Sequence, residues 1–236
     1  MFFRTFATDM FFDFKRFTIH QERCAMKVGT DGVLLGAWAE VPHATGGEVT
    51  VLDAGTGTGV IALMIAQRYQ EASVTALDID EGAVMQAREN VSASPFSSRI
   101  SVEQGRVQQH EGRYDAVVSN PPFFIASLNA PDVQRNIARH AETLTYRELM
   151  EAAWRLLKDD GELSVVVPFD YRKRMEDEAI IRGFFPSRVC AVHTTASKPP
   201  KRFLLAFGKH PCPCRQEAIT IGDDKYQALT GDFYLY

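Results

Sequence analysis

Three glycines and one aspartate have the spacing of a site for a ligand that carries a ribose. Gly55, Gly57 and Gly59 follow the apolar run Val49 to Ala54 and precede a segment with helical periodicity. Such a turn lets the backbone approach a ligand closely and points the first amides of the helix towards it. Asp78 stands 19 residues after Gly59 at the end of the next apolar run, where a carboxylate can accept hydrogen bonds from two ribose hydroxyls.

The spacing of the glycines argues against a dinucleotide. The order here is G-x-G-x-G, whereas a dinucleotide fingerprint requires G-x-G-x-x-G. Asp53, directly before the turn, belongs to the predicted site. Asp80 is the alternative to Asp78, because strand alternation would place both on the same side.

A second candidate group is Asn120-Pro121-Pro122-Phe123, which follows the predicted strand Tyr114 to Ser119. Consecutive prolines forbid further strand pairing and force a stiff loop, at the end of a strand where open α/β sheets bind ligands. The four residues resemble the N-P-P-[YF] motif of methyltransferases that modify a nitrogen conjugated to a π system, notably the exocyclic N6 of adenine.

The residue types of this motif suit that reaction. An exocyclic amine attacks a sulfonium methyl group poorly because its lone pair is delocalised into the ring. If the Asn120 side-chain oxygen and the Pro121 carbonyl each accept one N–H, the amine is oriented and its growing positive charge is stabilised. Phe123 offers a ring on which the base can stack. We predict Asn120, Pro121 and Phe123 as catalytic residues, and Pro122 and Phe124 as substrate-binding residues.

The N-terminal segment carries a more specific resemblance. Residues 14–19, Gln21 and residues 24–38 resemble the start of bacterial tRNA1(Val) (adenine-37-N6)-methyltransferases. The resemblance covers essentially the whole chain, through both motifs to Leu204-Leu205-Ala206-Phe207 and Phe233-Tyr234-Leu235. It implies methyl transfer from S-adenosylmethionine to adenosine 37, beside the anticodon of a valine tRNA.

The resemblance also implies cofactor contacts. In related enzymes the Lys-Val-Gly-Thr-Asp-Gly stretch lies over the cofactor, so Lys27, Gly29, Thr30 and Asp31 would line the site. The predicted cofactor-binding residues are Lys27, Thr30, Asp53, Gly55, Gly57, Gly59, Asp78, Ile79, Gln104, Arg106 and Asn120.

One position departs from the common class I pattern. These enzymes often carry an acid after the third strand that contacts the adenine amino group of the cofactor, whereas this chain has Gln104-Gly105-Arg106. Arg106 cannot accept a hydrogen bond. Either Gln104 or nearby backbone groups read the adenine, or the cofactor is bound less tightly.

Charge is distributed unevenly along the chain. The net charge is −4, yet residues 186–215 hold six Lys and Arg and no acid, and residues 1–30 hold five basic and three acidic residues. Clustered cations are what phosphate binding requires. The predicted RNA contacts are Lys15, Arg16, Arg135, Arg139, His140, Lys198, Lys201 and Arg202.

The elements that position these residues alternate as βαβ units from residue 49 onward, which predicts a mostly parallel sheet. Seven strands are expected, over 49–54, 73–78, 100–104, 114–119, 162–167, 185–194 and 202–208. The last two are joined by a loop too short for a crossover helix and should form an antiparallel hairpin. The predicted fold is α/β, a Rossmann-like class I methyltransferase with a seven-stranded mostly parallel sheet and helices on both faces.

Three further elements are expected. Gly32 to Val41 should form an amphipathic helix on the sheet edge. Thr145 and Glu148 form a capping box for a helix, and Asp160-Gly161 should end that unit before the next strand. Residues 1–40 form an extension that covers the site, and residues 41–236 form the methyltransferase domain.

Composition excludes several classes of protein. The 236 residues are 45% hydrophobic and 24% charged, which is ordinary for a globular protein. No run approaches the roughly 18 apolar residues of a membrane span, and the first residues mix Phe with charges. We expect a cytoplasmic monomer with no metal and four reduced cysteines.

Two other functions fit the same motifs. Guanine N2 of ribosomal RNA and a protein glutamine also present a planar conjugated nitrogen, so the Asn-Pro-Pro-Phe motif does not separate them from adenine. A catalytically silent RNA-binding module is the alternative from another class. The presence of both Asp78 and the intact motif disfavours it.

Overall fold

The structure is a computed structural model and describes residues 10–24, 27–42, 48–122 and 144–235. Its strands are β1 (Phe11–Asp13), β2 (Thr18–His20), β3 (Val49–Ala54), β4 (Ala72–Asp78), β5 (Ile100–Gln104), β6 (Tyr114–Ser119), β7 (Leu157–Pro168), β8 (Phe185–His193), β9 (Arg202–Gly208) and β10 (Arg215–Thr220). Its helices are α1 (Thr30–Trp38), α2 (Val60–Arg68), α3 (Glu81–Ser92), α4 (Tyr146–Leu156), α5 (Arg172–Arg182) and α6 (Asp224–Thr230). Short 3₁₀ helices cover Ser97–Arg99 and Phe169–Tyr171.

The central sheet has the order β10-β8-β9-β7-β6-β3-β4-β5. Its strands pair in parallel, except that β9 is antiparallel to both β7 and β8. The predicted α/β class and the antiparallel hairpin β8–β9 are confirmed. The predicted number of seven strands is wrong, because β10 adds an eighth at the edge. Only Ile219 of β10 is buried, so this strand has no hydrophobic alternation to reveal it.

Strand β7 also differs from its prediction. It begins at Leu157, so Asp160-Gly161 lies inside the strand and does not precede it. The register against β6 jumps here, because Tyr114 pairs with Leu157 but Ala116 pairs with Glu162. A Cβ at position 161 would lie 2.8 Å from a Leu157 methyl carbon, so this irregularity needs glycine.

Helices cover both faces of the sheet, as predicted. Alternate residues of one strand point to different layers: Val51 joins the cluster with α1, α2 and α6, and Leu52 joins the cluster with α4 and α5. Helix α1 is not amphipathic as expected, since residues 32–38 are all buried. It packs against α2, where a Cβ at Gly36 would lie 2.9 Å from the Met64 sulfur. The capping box of Thr145 and Glu148 at the start of α4 is confirmed.

The two edges of the sheet can be assigned from the strand directions. We call the edge where β3, β4, β6 and β7 end the carboxyl edge, and the opposite one the amino edge. Strand β9 begins at the carboxyl edge, because Arg202 pairs with Pro168, the last residue of β7. Helix α2 runs from the carboxyl edge at Gly59 towards the amino edge at Arg68.

The N-terminal segment 10–24 packs along α3. The Asn90 side chain exchanges hydrogen bonds with the backbone of His20 and also donates to the Thr58 carbonyl, 2.9 Å away in the glycine turn. The segment is thereby connected to the predicted ligand site. No helix in the described ranges combines the length and the apolar character needed to cross a bilayer.

Candidate active site

A cleft of about 250 Å³ opens at the carboxyl edge, between the ends of β3, β4 and β6. The glycine turn, the end of β4 and the beginning of the Asn-Pro-Pro-Phe motif all contribute to its walls. The structure therefore brings together seven of the predicted site residues, which are Gly55, Gly57, Asp78, Ile79, Arg106, Asn120 and Pro122.

The glycine turn leaves open space on the side of the cleft. Gly55, Gly57 and Gly59 have φ angles of 80°, 56° and 84°, which favour glycine over any other residue. A Cβ built at Gly55 or Gly57 would meet no atom within 4 Å. Gly59 has a different environment, because its Cβ would lie 3.5 Å from Ala87 of α3. The first two glycines thus form a cradle that a ligand can occupy, and the third allows α3 to pack close to the turn.

The Asp78 carboxylate is held at the cleft wall by backbone groups. One oxygen accepts from the Gly57 amide at 2.8 Å, and the other accepts from the Asp80 amide at 3.0 Å. A carboxylate offers about four acceptor positions, so two remain for hydroxyls of a ligand. Burial raises the pKa of Asp78, and hydrogen bonds from backbone amides, first those of Asp80 and Gly57, oppose that shift. Asp80 instead accepts from the Ala83 amide and caps α3, which favours Asp78 over Asp80.

Asp53 is fully buried beneath the turn and does not line the cleft. One carboxylate oxygen accepts from the Thr56 hydroxyl at 2.6 Å and from the Ala62 amide at 3.1 Å. Burial raises its pKa to about 7. The expected direct cofactor contact is therefore corrected: Asp53 lies too deep for it, and its carboxylate positions the glycine turn on α2.

Asn120 is brought to the glycine turn by its neighbour Ser119. The Ser119 hydroxyl is buried and donates to the Ala54 carbonyl at 2.7 Å, which joins the end of β6 to the end of β3. The Asn120 side-chain oxygen is buried at the cleft. No sequence motif indicated Ser119. Its only sequence signal is a hydroxyl residue directly after the apolar residues 116–118.

The end of β5 and the segment after it hold the residues that were expected to contact the adenine of the cofactor. The Gln104 side chain is exposed and its amide nitrogen lies 3.5 Å from the carbonyl of Ile79, a residue of the cleft wall, so its cofactor contact stays a prediction. Arg106 lines the cleft, as does Gln108, which no motif indicated. Hydrogen bonds from Thr145 lower the pKa of Glu148 most, and Gln108 and Arg106 contribute to the same shift.

Three residues of the resemblance segment lie apart from the cleft wall. The Lys27 ammonium donates to the Gln21 carbonyl at 2.5 Å, and Thr30 begins α1. Asp31 forms an ion pair with Arg202, whose side chain is only 14% exposed. The prediction that Arg202 contacts RNA is therefore wrong, because its guanidinium is mostly buried in an ion pair that joins β9 to α1.

The predicted RNA contacts are separated between the two edges. The Lys15 ammonium donates to the Gly231 carbonyl after α6, and the Arg16 guanidinium lies 5.0 Å from the Phe96 ring in a pocket with Arg68. These two lie at the amino edge, a helix length of about 13 Å from the glycine turn, so they are remote from the cleft, and their contact with RNA phosphates stays a prediction. Lys198 and Lys201 are exposed at the carboxyl edge.

Five predicted residues lie outside the described part of the chain and stay predictions from the sequence. They are Phe123, Phe124, Arg135, Arg139 and His140.

A larger groove of about 1060 Å³ lies beside α4 and α5. Its cations mostly serve the fold: Arg155 donates to three backbone carbonyls, and Lys209 donates to the Leu157 carbonyl. The smaller cleft is the better candidate because there the turn, Asp78 and Asn120 converge.

Comparison with known proteins agrees with this site. Residues 39–191 match the family model described as the methyltransferase small domain. A tRNA1(Val) (adenine(37)-N6)-methyltransferase from Phocaeicola vulgatus is 46% identical over 233 residues, covering 95% of this chain and 97% of the relative. Proteins of the same name from Bacteroides fragilis and Histophilus somni are 45% and 39% identical, again over 95% of this chain and 98% and 97% of their own.

Solved structures show the same fold. A predicted O-methyltransferase from Agrobacterium tumefaciens has a TM-score of 0.65 at 16% identity, with 86% of this chain and 96% of that chain covered. The glycopeptide N-methyltransferase MtfA, complexed with S-adenosylmethionine, has a TM-score of 0.56 at 12% identity, with 76% and 95% covered.

The residues present fit S-adenosylmethionine as the cofactor. The open cradle at Gly55 and Gly57 has room for a ligand against the first amides of α2, and Asp78 keeps acceptor positions for two hydroxyls. Ile79 offers an apolar surface, 42% exposed, beside them. The protein is an S-adenosylmethionine-dependent methyltransferase, and with 39–46% identity to curated relatives over 95% of its length it belongs to the tRNA1(Val) (adenine(37)-N6)-methyltransferase family.

Proposed function

We propose that the protein transfers a methyl group from S-adenosylmethionine to N6 of adenosine 37 in the anticodon loop of a valine tRNA. The observation that carries this proposal is that Asn120 and the glycine turn line one cleft, with the Ser119–Ala54 hydrogen bond between them. The identity of the RNA rests on the names of the relatives.

The cofactor supplies a methyl group activated by a positively charged sulfur. In the proposed arrangement Gly55 and Gly57 lie against its amino-acid portion and Asp78 accepts from its ribose hydroxyls. Arg106, the backbone around Gly105 and the Gln104 side chain beside Ile79 are the groups placed to contact its adenine.

The target amine is held by two acceptors. The Asn120 side-chain oxygen and the Pro121 carbonyl each accept one N–H, which directs the nitrogen lone pair at the methyl group. As positive charge grows on nitrogen, both acceptors stabilise it. Asp78 is the single carboxylate on the described walls of the cleft and would serve the cofactor, so no side-chain base is assigned. The N–C bond would form as the methyl–sulfur bond breaks and leaves a neutral thioether, and the positively charged nitrogen would then release its proton to solvent water.

The remaining site predictions complete the proposal. Residues 1–40 cover the site, with Lys27 and Thr30 over the cofactor, and residues 41–236 form the methyltransferase domain. Support comes from Asn90, which links residue 20 to the glycine turn. Phe123 stacks on the base, and Pro122 and Phe124 contact it.

Labelled S-adenosylmethionine tests the function directly. The protein is incubated with unmodified bulk tRNA, valine tRNA transcripts carrying A37 or G37, ribosomal RNA and a glutamine-containing release-factor peptide. We expect N6-methyladenosine in valine tRNA with A37 and no label in the G37 transcript. Label confined to ribosomal RNA or peptide, or no label at all, contradicts the proposal.

Asn120→Ala tests the two-acceptor mechanism. Removing one transition-state acceptor should lower kcat about 100-fold or more, while the Kd for the cofactor stays within about twofold. Gln109→Ala, an exposed residue near the cleft, is the control and should keep wild-type kcat. A kcat for Asn120→Ala within a few-fold of wild type would refute the mechanism.

A further inference from the structure

An aromatic ring is exposed at the carboxyl edge outside the cleft. Phe169 directly follows β7, and 51% of its surface is exposed. A single exposed apolar residue needs no special explanation. Phe169 is different because its neighbours fix the ring and because cations lie beside it.

The backbone and the ring of Phe169 are both anchored. Its amide donates to the Lys201 carbonyl at 3.0 Å, and the Lys201 amide donates to the Val192 carbonyl at 2.8 Å. The ring lies 6.0 Å, centroid to centroid, from the buried ring of Phe203. One face of Phe169 is thus supported by the core, and its position is tied to the β8–β9 loop.

That loop supplies unpaired cations. Lys198 and Lys201 are exposed, and neither forms an ion pair within the described ranges. One acid, Asp170, is exposed next to the ring. An aromatic face with adjacent cations is the arrangement that binds single-stranded nucleic acid, in which bases stack on rings and phosphates lie near Lys or Arg.

The distance to the cleft suits a neighbouring nucleotide. Ser119 pairs with Val165, and Pro168 lies three residues further along β7. At about 3.3 Å per residue and one strand spacing sideways, Phe169 stands roughly 10 Å beyond the level of Asn120. A loop that splays one base into the cleft must place its neighbours at about this range.

We propose that Phe169 is a stacking platform for the nucleobase that flanks the target adenosine, with Lys198 and Lys201 beside the adjoining phosphates. The proposal rests on the proposed function for its RNA substrate. It makes Phe169 a positioning residue, since it holds the loop and does not touch the reacting amine.

Three substitutions of Phe169 test the platform on the full protein. Phe169→Ala should lower kcat/KM for tRNA roughly 5- to 100-fold, the range for losing one base–aromatic stack, with an unchanged Kd for S-adenosylmethionine. Phe169→Leu keeps an apolar contact with Phe203 but should lose most of the activity, and Phe169→Trp should restore it. Phe185→Ala removes a ring that is 40% exposed at the amino edge and should have no effect on kcat/KM.

Abasic substrates give a measurement that distinguishes the loss of stacking from a general loss of protein stability in the variants. Replacing nucleotide 36 or 38 by an abasic linker should lower wild-type activity at one of the two positions, and Phe169→Ala should show no further loss there. Additive losses at both positions, or Phe169→Ala and Phe169→Leu within twofold of wild type, would overturn the platform. If the wild type methylates no tRNA, the proposed function fails separately, and the fluorescence of Phe169→Trp with tRNA then decides, measured against the wild type with its own Trp38 and Trp154. Additional quenching in the variant retains the platform, and its absence rejects it.

Discussion

Two aspartates near the glycine turn have different roles because their oxygens have different partners. Asp78 accepts two backbone amides and still faces the cleft. Asp53 accepts from Thr56 and Ala62 on one oxygen, while its other oxygen is buried with no partner among the described residues. A buried, half-satisfied carboxylate is costly when charged, so Asp53 gives the stability of the turn a pH dependence.

Asp53 should make the protein less stable as pH rises. Burial raises its folded-state pKa from 3.8 to about 7. Between these values the folded chain keeps a proton that the unfolded chain has released, so the contribution is full below about pH 4 and is lost as pH rises through about 7. We expect urea unfolding at pH 5 and pH 8 to show a fall in unfolding free energy that is larger in wild type than in Asp53→Asn by about 1 kcal/mol or more, since one pKa unit corresponds to about 1.4 kcal/mol.

The control for this experiment is Asp224→Asn, at an exposed position. It should keep the wild-type dependence on pH. Parallel pH profiles for wild type and Asp53→Asn would show that the Asp53 carboxyl does not titrate in this range.

The conformation or position of a residue could be predicted from the sequence where it depends on the local backbone. The positive φ of Gly55 and the strand-end position of Asp78 follow from a turn and from one neighbouring strand. The ion-pair partner of a charged side chain could not be predicted from the sequence. Arg202 was assigned to RNA because it sits in a basic run, but Asp31, distant in sequence, neutralises it.

Among the elements, the N-terminal segment depends on α3 for its position. Asn90, which is 1% exposed, makes three hydrogen bonds to the backbone of His20 and Thr58. Asn90→Ala should lower the unfolding free energy by about 2–4 kcal/mol, because buried backbone groups lose their partners. It should also release residues 10–24 to limited proteolysis and raise the Kd for S-adenosylmethionine several-fold, if this segment covers the cofactor.

Glu89→Ala is the matched control on the same helix. Glu89 joins the same two segments through an ion pair with Arg23 at 2.6 Å, but both side chains are about half exposed. Such a pair is worth less than about 1 kcal/mol. Equal effects of the two substitutions would contradict the assignment of Asn90 as the main anchor.

The sequence predicted those strands and helices that carry a clear hydrophobic pattern within their own residues. Strand β3 was predicted at its observed bounds, since burial of residues 51–54 gives it a mostly apolar run that ends at the glycine turn. Strand β10 was missed because it is an edge strand with one buried residue. The early start of β7 was missed because Asp160-Gly161 has turn chemistry, although there it occupies an irregular register inside a strand.

At the scale of the whole molecule, the fold divides the basic residues between two edges. The sequence places positive charge near both chain ends but does not indicate on which edge each cluster lies. In the structure, Lys198 and Lys201 share the carboxyl edge with Asn120, whereas Lys15 and Arg16 lie at the amino edge near the end of α2. An RNA whose base reaches the cleft should therefore contact the first pair and not the second.

A comparison of two double variants tests this division with the same change of charge. Lys198→Ala with Lys201→Ala should raise the Kd for tRNA about 5- to 50-fold and lower the magnitude of the slope of log K against log salt by about 1.4–1.8, since each lost phosphate contact removes about 0.7–0.9. Lys15→Ala with Arg16→Ala should leave both quantities near wild type. Filter binding between 50 and 200 mM salt measures them. An equal loss of affinity from both double variants would mean that the RNA spans the two edges. A loss of affinity only from the Lys15 and Arg16 variant would place the RNA at the amino edge, away from the cleft.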